Sequence, residues 1–354
     1  MANYKIKKLA NILVNYSLNV QKDEIVKIIS SPLGIPLVEE VYKKVLTKKA
    51  HPIANIEIER LGEILFKKGT NKQIEFVPNS FKSSCEEIDC YLRICAPENI
   101  QTLTNCYSKK IGLRRKAQKI YRNKILENTK WCLVNYPTNA LAQNAGMSLR
   151  EYEDFLFKAT LIDWPDIHNK QQKIINKFDG SNLVHILGQE TDIKFNVKNR
   201  TWVNSDGKNN MPSGEVFTSP IADSVNGSIY IDLPTFYQGK KFEGVKLNFK
   251  NGVVKEASAK TNGKNLIKIL DTDENARRCG ELAFGFNYGI TKITGDTLFD
   301  EKVGGTMHIA LGSSYKEAGG KIDSAIHWDM VRTINPGTVL VDGKEFYKEG
   351  KWLI

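Results

Sequence analysis

The sequence changes character near residue 180, and this change limits the folds that are open to the chain. Before it, short apolar runs alternate with longer segments whose apolar residues recur at helical spacing. That alternation is typical of an α/β domain with a mostly parallel sheet. After it, β-branched residues, glycines and hairpin turns dominate. We therefore predict an α/β domain at residues 1–180 and an α+β domain rich in antiparallel strands at residues 181–354.

Individual elements follow from the same patterns. In the first half the predicted helices are 5–18, 36–48, 109–124, 148–159 and 165–178, and the predicted strands are 24–29, 52–58, 90–95 and 130–136. In the second half Asn251-Gly252 and Asp342-Gly343 predict two-residue hairpin turns, because both dipeptides favour the left-handed backbone of such turns. Residues 261–271 predict a helix among the strands.

Length and composition exclude several classes of protein. A chain of 354 residues with 41% hydrophobic and 26% charged residues can bury a substantial core. No apolar run approaches 18 residues, so no membrane span is predicted. The amino-terminal segment lacks the continuous apolar region and cleavage site of a signal peptide, and we expect a cytoplasmic protein. None of the six cysteines forms a C-x-x-C pair, which disfavours a thiolate zinc site.

The net charge of +11 raises the question of an acidic partner. The densest basic patch is the predicted helix 109–124, whose cations fit a solvated face. No fingerprint of a DNA- or RNA-binding module accompanies it, which disfavours nucleic acid and leaves attraction of anionic substrates open. A nucleotide site is also disfavoured, because the first predicted strand is followed by SSPLG and not by a glycine-rich phosphate loop.

Side chains that bind divalent metals are concentrated in residues 281–329. Alternate side chains on a strand share a face. A strand over 324–331 would therefore project His327 and Asp329 together. Glu281 would share a face with the alanine and the glycine two and four positions further on, and these small residues leave room for an ion.

A histidine on an apolar strand is more often a satisfied core residue than a ligand, so His-x-Asp alone is weak support for a metal site. Several ionisable side chains in one glycine-rich, hydrophobic segment are stronger support, because burying them unpaired would be costly. Further upstream, Pro212 and Gly214 predict a fixed turn immediately before Glu215, at the start of a strand.

Five ordered motifs resemble the M29 family of metallo-aminopeptidases, of the aminopeptidase T and aminopeptidase S type. They read NMPSGEVFTSP, RCGELAF, TLFDE, HIALGSSY and SAIHWD, and the resemblance extends to LVNYSLNVQKDEIV near the amino terminus. It implies an α/β amino-terminal domain, a carboxy-terminal catalytic domain, a homodimer and a pair of divalent cations. The metal ligands it implies are Glu215, Glu281, Glu301, His308, His327 and Asp329, and it places Tyr315 at the metal site as a ligand or electrophilic stabiliser.

The resemblance implies a metal-dependent aminopeptidase that releases residues from peptides with a free amino terminus. Two ions can activate a water and polarise the scissile carbonyl. A mixed carboxylate and imidazole shell suits Zn²⁺, Co²⁺ or Mn²⁺. We hypothesise that Glu281 bridges the ions and that Tyr315 hydrogen-bonds the developing oxyanion. Glu301 is a ligand in this scheme, and the candidate general base if it is not.

Two departures from the family pattern affect these expectations. The segment between Glu301 and His308 is two residues longer than in the best-known members, and the chain is shorter, which predicts trimmed substrate-channel loops. Neither H-E-x-x-H nor G-x-S-x-G occurs. The alternatives are an inactive peptide-binding homologue and a two-metal hydrolase of another bond, such as a phosphoester. The remaining histidines, His51, His168 and His185, are predicted to be structural or surface residues.

Overall fold

The computed structural model describes residues 2–353, which divide into two compact units. The first unit comprises the chain up to Leu161 together with Gly207–Pro212. The second comprises Ile162–Asp206 and the chain from Ser213 onward.

Helices dominate the first half of the chain and strands the second. The α-helices are α1 (Ala2–Ile12), α2 (Ile35–Thr47), α3 (Glu59–Lys68), α4 (Asn71–Glu75), α5 (Asn79–Glu87), α6 (Ser108–Asn128), α7 (Asn139–Asn144), α8 (Leu149–Thr160), α9 (Trp164–Phe178), α10 (Gly263–Leu270) and α11 (Thr297–Asp300). The strands are β1 (Ile25–Ser30), β2 (His51–Ile56), β3 (Cys90–Cys95), β4 (Lys130–Asn135), β5 (Leu183–Gly188), β6 (Thr191–Asn196), β7 (Val203–Ser205), β8 (Asn210–Met211), β9 (Glu215–Thr218), β10 (Asn226–Ile231), β11 (Thr235–Tyr237), β12 (Lys240–Phe242), β13 (Val245–Lys250), β14 (Val253–Ser258), β15 (Cys279–Gly285), β16 (Thr306–Gly312), β17 (His327–Thr333), β18 (Gly337–Val341), β19 (Lys344–Lys348) and β20 (Lys351–Trp352).

The first unit is built on a parallel five-stranded sheet in the order β2-β1-β3-β4-β8. Five of the six residues of β1 are buried, as expected for a strand covered on both faces. This confirms the predicted α/β class. The fifth strand, Asn210–Met211, was not predicted, because its two residues lie far along the sequence in a segment that has the pattern of a turn.

Part of the basic charge is used inside the first unit. On α6, Lys110 Nζ donates to the carbonyl of Gly69 at 2.8 Å and Arg114 donates to the carbonyl of Phe76 at 2.6 Å. Lys124 pairs with Glu86 at 2.6 Å. These cations help to hold neighbouring segments of the unit, which gives the positive helix a structural explanation.

The second unit contains an eight-stranded sheet in the order β14-β13-β10-β6-β5-β18-β19-β20 and a five-stranded sheet in the order β17-β16-β15-β9-β7. The pairs in both are antiparallel, as the sequence predicts. Asn251-Gly252 joins β13 to β14 and Asp342-Gly343 joins β18 to β19, all four residues having positive φ. Both predicted hairpin turns are therefore confirmed.

The core of the second unit lies against one face of the five-stranded sheet. Leu282 and Phe284 of β15 are fully buried there. Phe178 stacks on Trp202, with ring centroids 4.2 Å apart, and on Phe284 at 5.5 Å. Because side chains alternate along a strand, this packing leaves the opposite face of the sheet for other residues.

Several element boundaries differ from the prediction, and two of these differences have a clear structural description. The first helix ends at Ile12 and continues as a π-helical turn, Leu13–Ser17. Strand β17 begins at His327, three residues later than predicted, because Ser324 and the Ala325 amide bind the carboxylate of Asp273 and not a neighbouring strand.

The predictions on membrane spans and cysteines can be compared with the part of the chain that the structure describes. In residues 2–353 no helix is both long and apolar enough to cross a membrane. The six cysteines are free thiols, four of them buried.

Candidate metal centre

The five-stranded sheet brings five of the six predicted ligands onto one face, and the sixth, Glu301, directly follows α11. Glu281 and Asp329 both lie opposite Ala310, on the strands to either side of it. His308 lies opposite Ala283, and Glu215 lies opposite a glycine at the end of β15. Small residues thus stand directly across the sheet from the acidic and imidazole side chains, and they leave a pocket above the strands.

Two glycines make this arrangement possible. Gly214, with φ of 112°, turns the chain immediately before Glu215, and a Cβ there would lie 2.9 Å from the Asn287 side chain. A Cβ at Gly285 would lie 2.1 Å from the Val303 carbonyl oxygen. The backbone of the segment between β15 and β16 therefore approaches the sheet only because position 285 has no side chain.

The six predicted ligands form two adjacent groups. One ligand atom from each of Glu215, Glu301 and His308 lies within 4.8 Å of the others, and the same holds for Glu281, His327 and Asp329. Both groups contain carboxylates and one imidazole. We name them the Glu215 group and the Glu281 group.

Distances across the groups match those between ligands of a shared ion. His327 Nε2 lies 3.2 Å from Glu281 Oε2 and 3.3 Å from Asp329 Oδ1. His308 Nε2 lies 3.6 Å from Glu281 Oε1 and 3.9 Å from Glu215 Oε2. Donor atoms that each sit about 2.1 Å from one cation are about 3 to 3.5 Å apart, so small adjustments would bring these atoms into common coordination.

Main-chain hydrogen bonds aim both imidazoles at this pocket. His308 Nδ1 donates to the carbonyl of Glu301 at 3.1 Å, and His327 Nδ1 donates to the carbonyl of Ser313 at 2.8 Å. A carbonyl can only accept, so each Nδ1 carries a proton and each Nε2 faces the carboxylates. Metal-binding histidines are oriented in this way in proteins.

Three buried polar atoms at the centre show that a cation fits. Glu215 Oε2, His308 Nε2 and Asp329 Oδ1 are buried and make no hydrogen bond within the described residues. Buried polar atoms nearly always have a partner. Divalent ions at the two groups would satisfy all three, and their donor types are those that Zn²⁺, Co²⁺ and Mn²⁺ accept.

The electrostatics of the centre favour the charged forms of two carboxylates and both imidazoles, but the protonated form of Glu301. Burial raises the pKa of Glu301 to about 8. Burial also acts on Glu281 and Asp329, but the neighbouring imidazoles outweigh it, lowering the pKa of Glu281 and that of Asp329 to about 2. Burial disfavours imidazolium, yet the carboxylates raise the pKa of His308 to about 9 and that of His327 to about 12. Metal binding would therefore displace protons from the imidazoles.

One residue of this centre, Lys302, is not predicted by the sequence patterns. Its side chain is fully buried, and its Nζ lies 3.3 Å from Glu215 Oε1 and hydrogen-bonds the carboxylate of Glu301. Its place in the sequence, directly after a predicted ligand in a glycine-rich segment, was the only available signal. A lysine is usually exposed, so that signal does not predict burial.

The centre is open on one side. Glu215, Glu281 and His308 have side chains no more than 6% exposed, whereas that of His327 is 26% exposed. Tyr315 stands beside this opening, with its ring centroid 5.1 Å from that of His327. A small cleft of about 20 Å³, lined in part by Glu301 and Asp329, adjoins the centre.

The remaining histidines have other partners or positions. His168 Nδ1 lies 2.7 Å from Asp206 Oδ2, and His185 Nε2 lies 2.7 Å from Asp192 Oδ1. His51 is exposed at the first residue of β2. None of the three belongs to either ligand group.

Comparison with known proteins identifies the family. The sequence model of the M29 peptidases, described as thermophilic metalloprotease (M29), matches residues 2–352. This chain belongs to the M29 peptidase family. The motifs that resemble this family in the sequence thus belong to a match that extends over nearly the whole chain.

Several proteins that are similar in sequence to this M29 peptidase are named aminopeptidases. Aminopeptidase 2 of Geobacillus stearothermophilus is 27% identical over 406 residues, covering 98% of this chain and 97% of the relative. Aminopeptidase T of Thermus aquaticus is 28% identical, covering 64% of this chain and 66% of the relative. Aminopeptidase AmpS of Bacillus subtilis is 24% identical and covers 98% of both.

A solved structure supports the fold of the M29 peptidase. Wild-type AmpT from Thermus thermophilus matches with a TM-score of 0.85 at 22% sequence identity, and the match covers all of both chains. The predicted combination of a parallel α/β unit with antiparallel sheets is therefore a fold that is already known.

Proposed function

We propose that this protein is a metal-dependent aminopeptidase, a hydrolase that releases amino-terminal residues from peptides. Membership of a metallopeptidase family and the aminopeptidase names of its relatives support the reaction class. One observation carries the proposal. Three buried donor atoms without hydrogen-bond partners lie at predicted ligand positions, on Glu215, His308 and Asp329.

The centre is proposed to hold two divalent ions, of Zn²⁺, Co²⁺ or Mn²⁺, one at each ligand group. The division of the six side chains into the Glu215 group and the Glu281 group supports two positions. Glu281 is the preferred shared ligand, because its two oxygens lie 3.6 Å from His308 Nε2 and 3.2 Å from His327 Nε2. When bound, such ions act as Lewis acids and lower the pKa of water to near neutrality.

The residues of the chain then have separate tasks in hydrolysis. If Glu301 is not a metal ligand, it accepts a proton from the attacking water and returns it to the amine nitrogen as the C–N bond breaks. Its buried carboxylate, with a pKa raised to about 8 by burial, can do both near neutral pH. Tyr315, at the open side, donates a hydrogen bond to the carbonyl oxygen of the substrate as negative charge develops there.

The shape of the centre fits an enzyme that releases only the amino-terminal residue of a peptide. The ligand side chains are buried on the inner side, and access is from the side of His327 and Tyr315. We propose that the free α-amino group of the peptide enters this acidic centre, so that acetylation of the substrate prevents binding. The alignment with aminopeptidase 2 extends over 406 residues, more than the 354 of this chain. Shorter loops are therefore proposed to give it a side-chain preference of its own.

The assembly and location of the enzyme are also proposals. A homodimer follows from the family resemblance, and light scattering of the purified protein would measure it. A cytoplasmic location follows from the composition of the sequence. The assignment of catalysis to residues 181–354 and the roles of the individual ligands are proposals of the same kind.

Peptide hydrolysis by metal-stripped protein tests the proposed function. Amino-acid p-nitroanilides, short free-amine peptides and the same peptides acetylated at the amino terminus are assayed after Zn²⁺, Co²⁺ or Mn²⁺ is added back. We expect metal-dependent cleavage of the free-amine substrates alone. If ions bind but no substrate is cleaved with any metal, the proposal is wrong, and a binding role or hydrolysis of another bond is favoured.

A further inference from the structure

Lys302 places a permanent positive charge inside the centre. Its side chain has 0% exposure, and its ammonium contacts a carboxylate oxygen of Glu215 and one of Glu301. Lysine is almost never fully buried unless it is paired. Here the pairing partners are two side chains of one ligand group.

The backbone fixes this lysine where it stands. Its amide donates to the carbonyl of Phe299 at 3.0 Å, and its carbonyl accepts from the amide of Asn287 at 3.0 Å. These hydrogen bonds fix the main chain of Lys302 in the segment that leads from Glu301 to His308. The ammonium of Lys302 therefore extends from a backbone position that the fold determines.

The carboxylates of the two ligand groups therefore face different positive or hydrogen-bonding groups. In the Glu215 group, one oxygen of each carboxylate is taken by the ammonium. In the Glu281 group, the carboxylates of Glu281 and Asp329 face imidazole Nε2 atoms, which are themselves metal ligands. A divalent ion entering the Glu281 group meets no ammonium. One entering the Glu215 group finds Glu215 Oε2 and His308 Nε2 without partners but must compete with the ammonium for the carboxylates of Glu215 and Glu301.

We propose that Lys302 is a resident cation of the Glu215 group, so that the chain binds one divalent ion tightly, at the Glu281 group. A second ion binds only by displacing the ammonium from Glu215 and Glu301. This inference rests on the metal-binding part of the proposed function and concerns only how the ions are held.

Displacement is costly because it breaks a buried ion pair and leaves a buried ammonium without a partner. Repulsion between the ammonium and a nearby divalent ion adds to that cost. We expect the second ion to bind at least about 100-fold more weakly than the first. Loss of the ammonium should remove most of that difference.

The test counts ions without using peptidase activity. Metal-stripped full-length protein is titrated with Zn²⁺ by calorimetry, and the bound zinc is measured by plasma mass spectrometry after dialysis against a weak chelator. The variants are Lys302→Met and, as matched control, Lys344→Met at an exposed position in β19. We expect one retained ion per chain for the wild type and for Lys344→Met, and two for Lys302→Met.

Several results would overturn the inference. Two tightly held ions in the wild type, or none, would contradict it. A single retained ion in folded Lys302→Met would also contradict it. The wild-type count decides the matter even if Lys302→Met fails to fold, and Lys302→Arg, which keeps the charge, should then retain one ion. If the wild-type protein retains one ion but cleaves no peptide, this inference is supported and the proposed function is wrong.

Discussion

His308 Nδ1 donates a hydrogen bond to the main-chain carbonyl of Glu301, 3.1 Å away. Two predicted ligands that are seven residues apart thus position one another, one through its imidazole and the other through its backbone. The carboxylate of Glu301 lies within the same group as Glu215, where the family resemblance predicts it despite the longer segment expected after it.

Replacing His327 by alanine should remove activity while leaving the fold intact. Its Nε2 contacts both carboxylates of the Glu281 group, and its partly exposed ring is not part of the buried core. We expect turnover to fall by at least about 100-fold together with loss of tightly bound metal. Peptide hydrolysis, metal content and circular dichroism measure these effects.

His185→Ala is the matched control for that variant. His185 lies in the same unit but pairs with Asp192 on the eight-stranded sheet. Its replacement should leave turnover and metal content near wild type. Normal turnover in His327→Ala would remove His327 from the proposed ligand set.

Replacing Glu301 by glutamine separates its two possible roles. A general base contributes about 10²–10⁴-fold to the rate. If Glu301 acts as the base, turnover should fall by that factor while the metal content stays unchanged. If it acts as a ligand, binding of the second ion in a Zn²⁺ titration should weaken as well. Measuring both for Glu301→Gln distinguishes the roles.

Glu345→Gln is the control for the glutamate variant. Glu345 is exposed and pairs with Lys348 three residues away, an interaction that contributes little. Its loss should change neither measurement. If Glu301→Gln also leaves both unchanged, Glu301 has no part in the reaction.

Tyr315→Phe should lower turnover with little change in KM. The proposed hydrogen bond of the hydroxyl forms fully only as charge develops on the substrate oxygen, and removing such a donor costs about 10²–10³-fold in kcat. The ring packs on Phe217 and His327, and phenylalanine keeps those contacts. Steady-state kinetics of the variant, with Tyr42→Phe in the first unit as control, measure the effect. A change in KM alone would indicate a binding role for Tyr315 in place of oxyanion stabilisation.

Local patterns in the sequence were enough to predict much of this structure. The strand faces that carry His327, Asp329 and Glu281 follow from the two-residue period of a strand, and the hairpins follow from the backbone preferences of Asn-Gly and Asp-Gly. These features depend on residues that are adjacent or two apart, so no knowledge of the fold was needed.

Features that depend on distant parts of the chain were not predicted. Strand β8 pairs with β4 across more than 70 residues, and two residues are too few for a period to show. The buried ammonium of Lys302 depends on carboxylates that the fold brings to it. The start of β17 depends on Asp273, some fifty positions upstream, which binds the residues before it.

Asp273 should stabilise the second unit in a pH-dependent way. Its carboxylate accepts hydrogen bonds from the Ala325 amide at 2.8 Å, the Ser324 hydroxyl at 2.8 Å and the Asn275 amide at 2.9 Å. The hydrogen bond from the Ala325 amide is the main cause that lowers the pKa of Asp273. The folded state therefore favours the ionised carboxylate, and its contribution is present above the unfolded pKa of about 3.9 and is lost as the pH falls further.

Replacing Asp273 by alanine should lower the free energy of unfolding by about 1 to 2 kcal/mol at pH 7. Urea unfolding at pH 7 and at pH 3 measures this, and the difference from wild type should shrink at the lower pH because the wild-type carboxylate then takes up protons. Asp323→Ala is the control, since the exposed side chain of Asp323 lies in the same loop. An equal loss of stability at both pH values would show that Asp273 acts by packing and not through its charge.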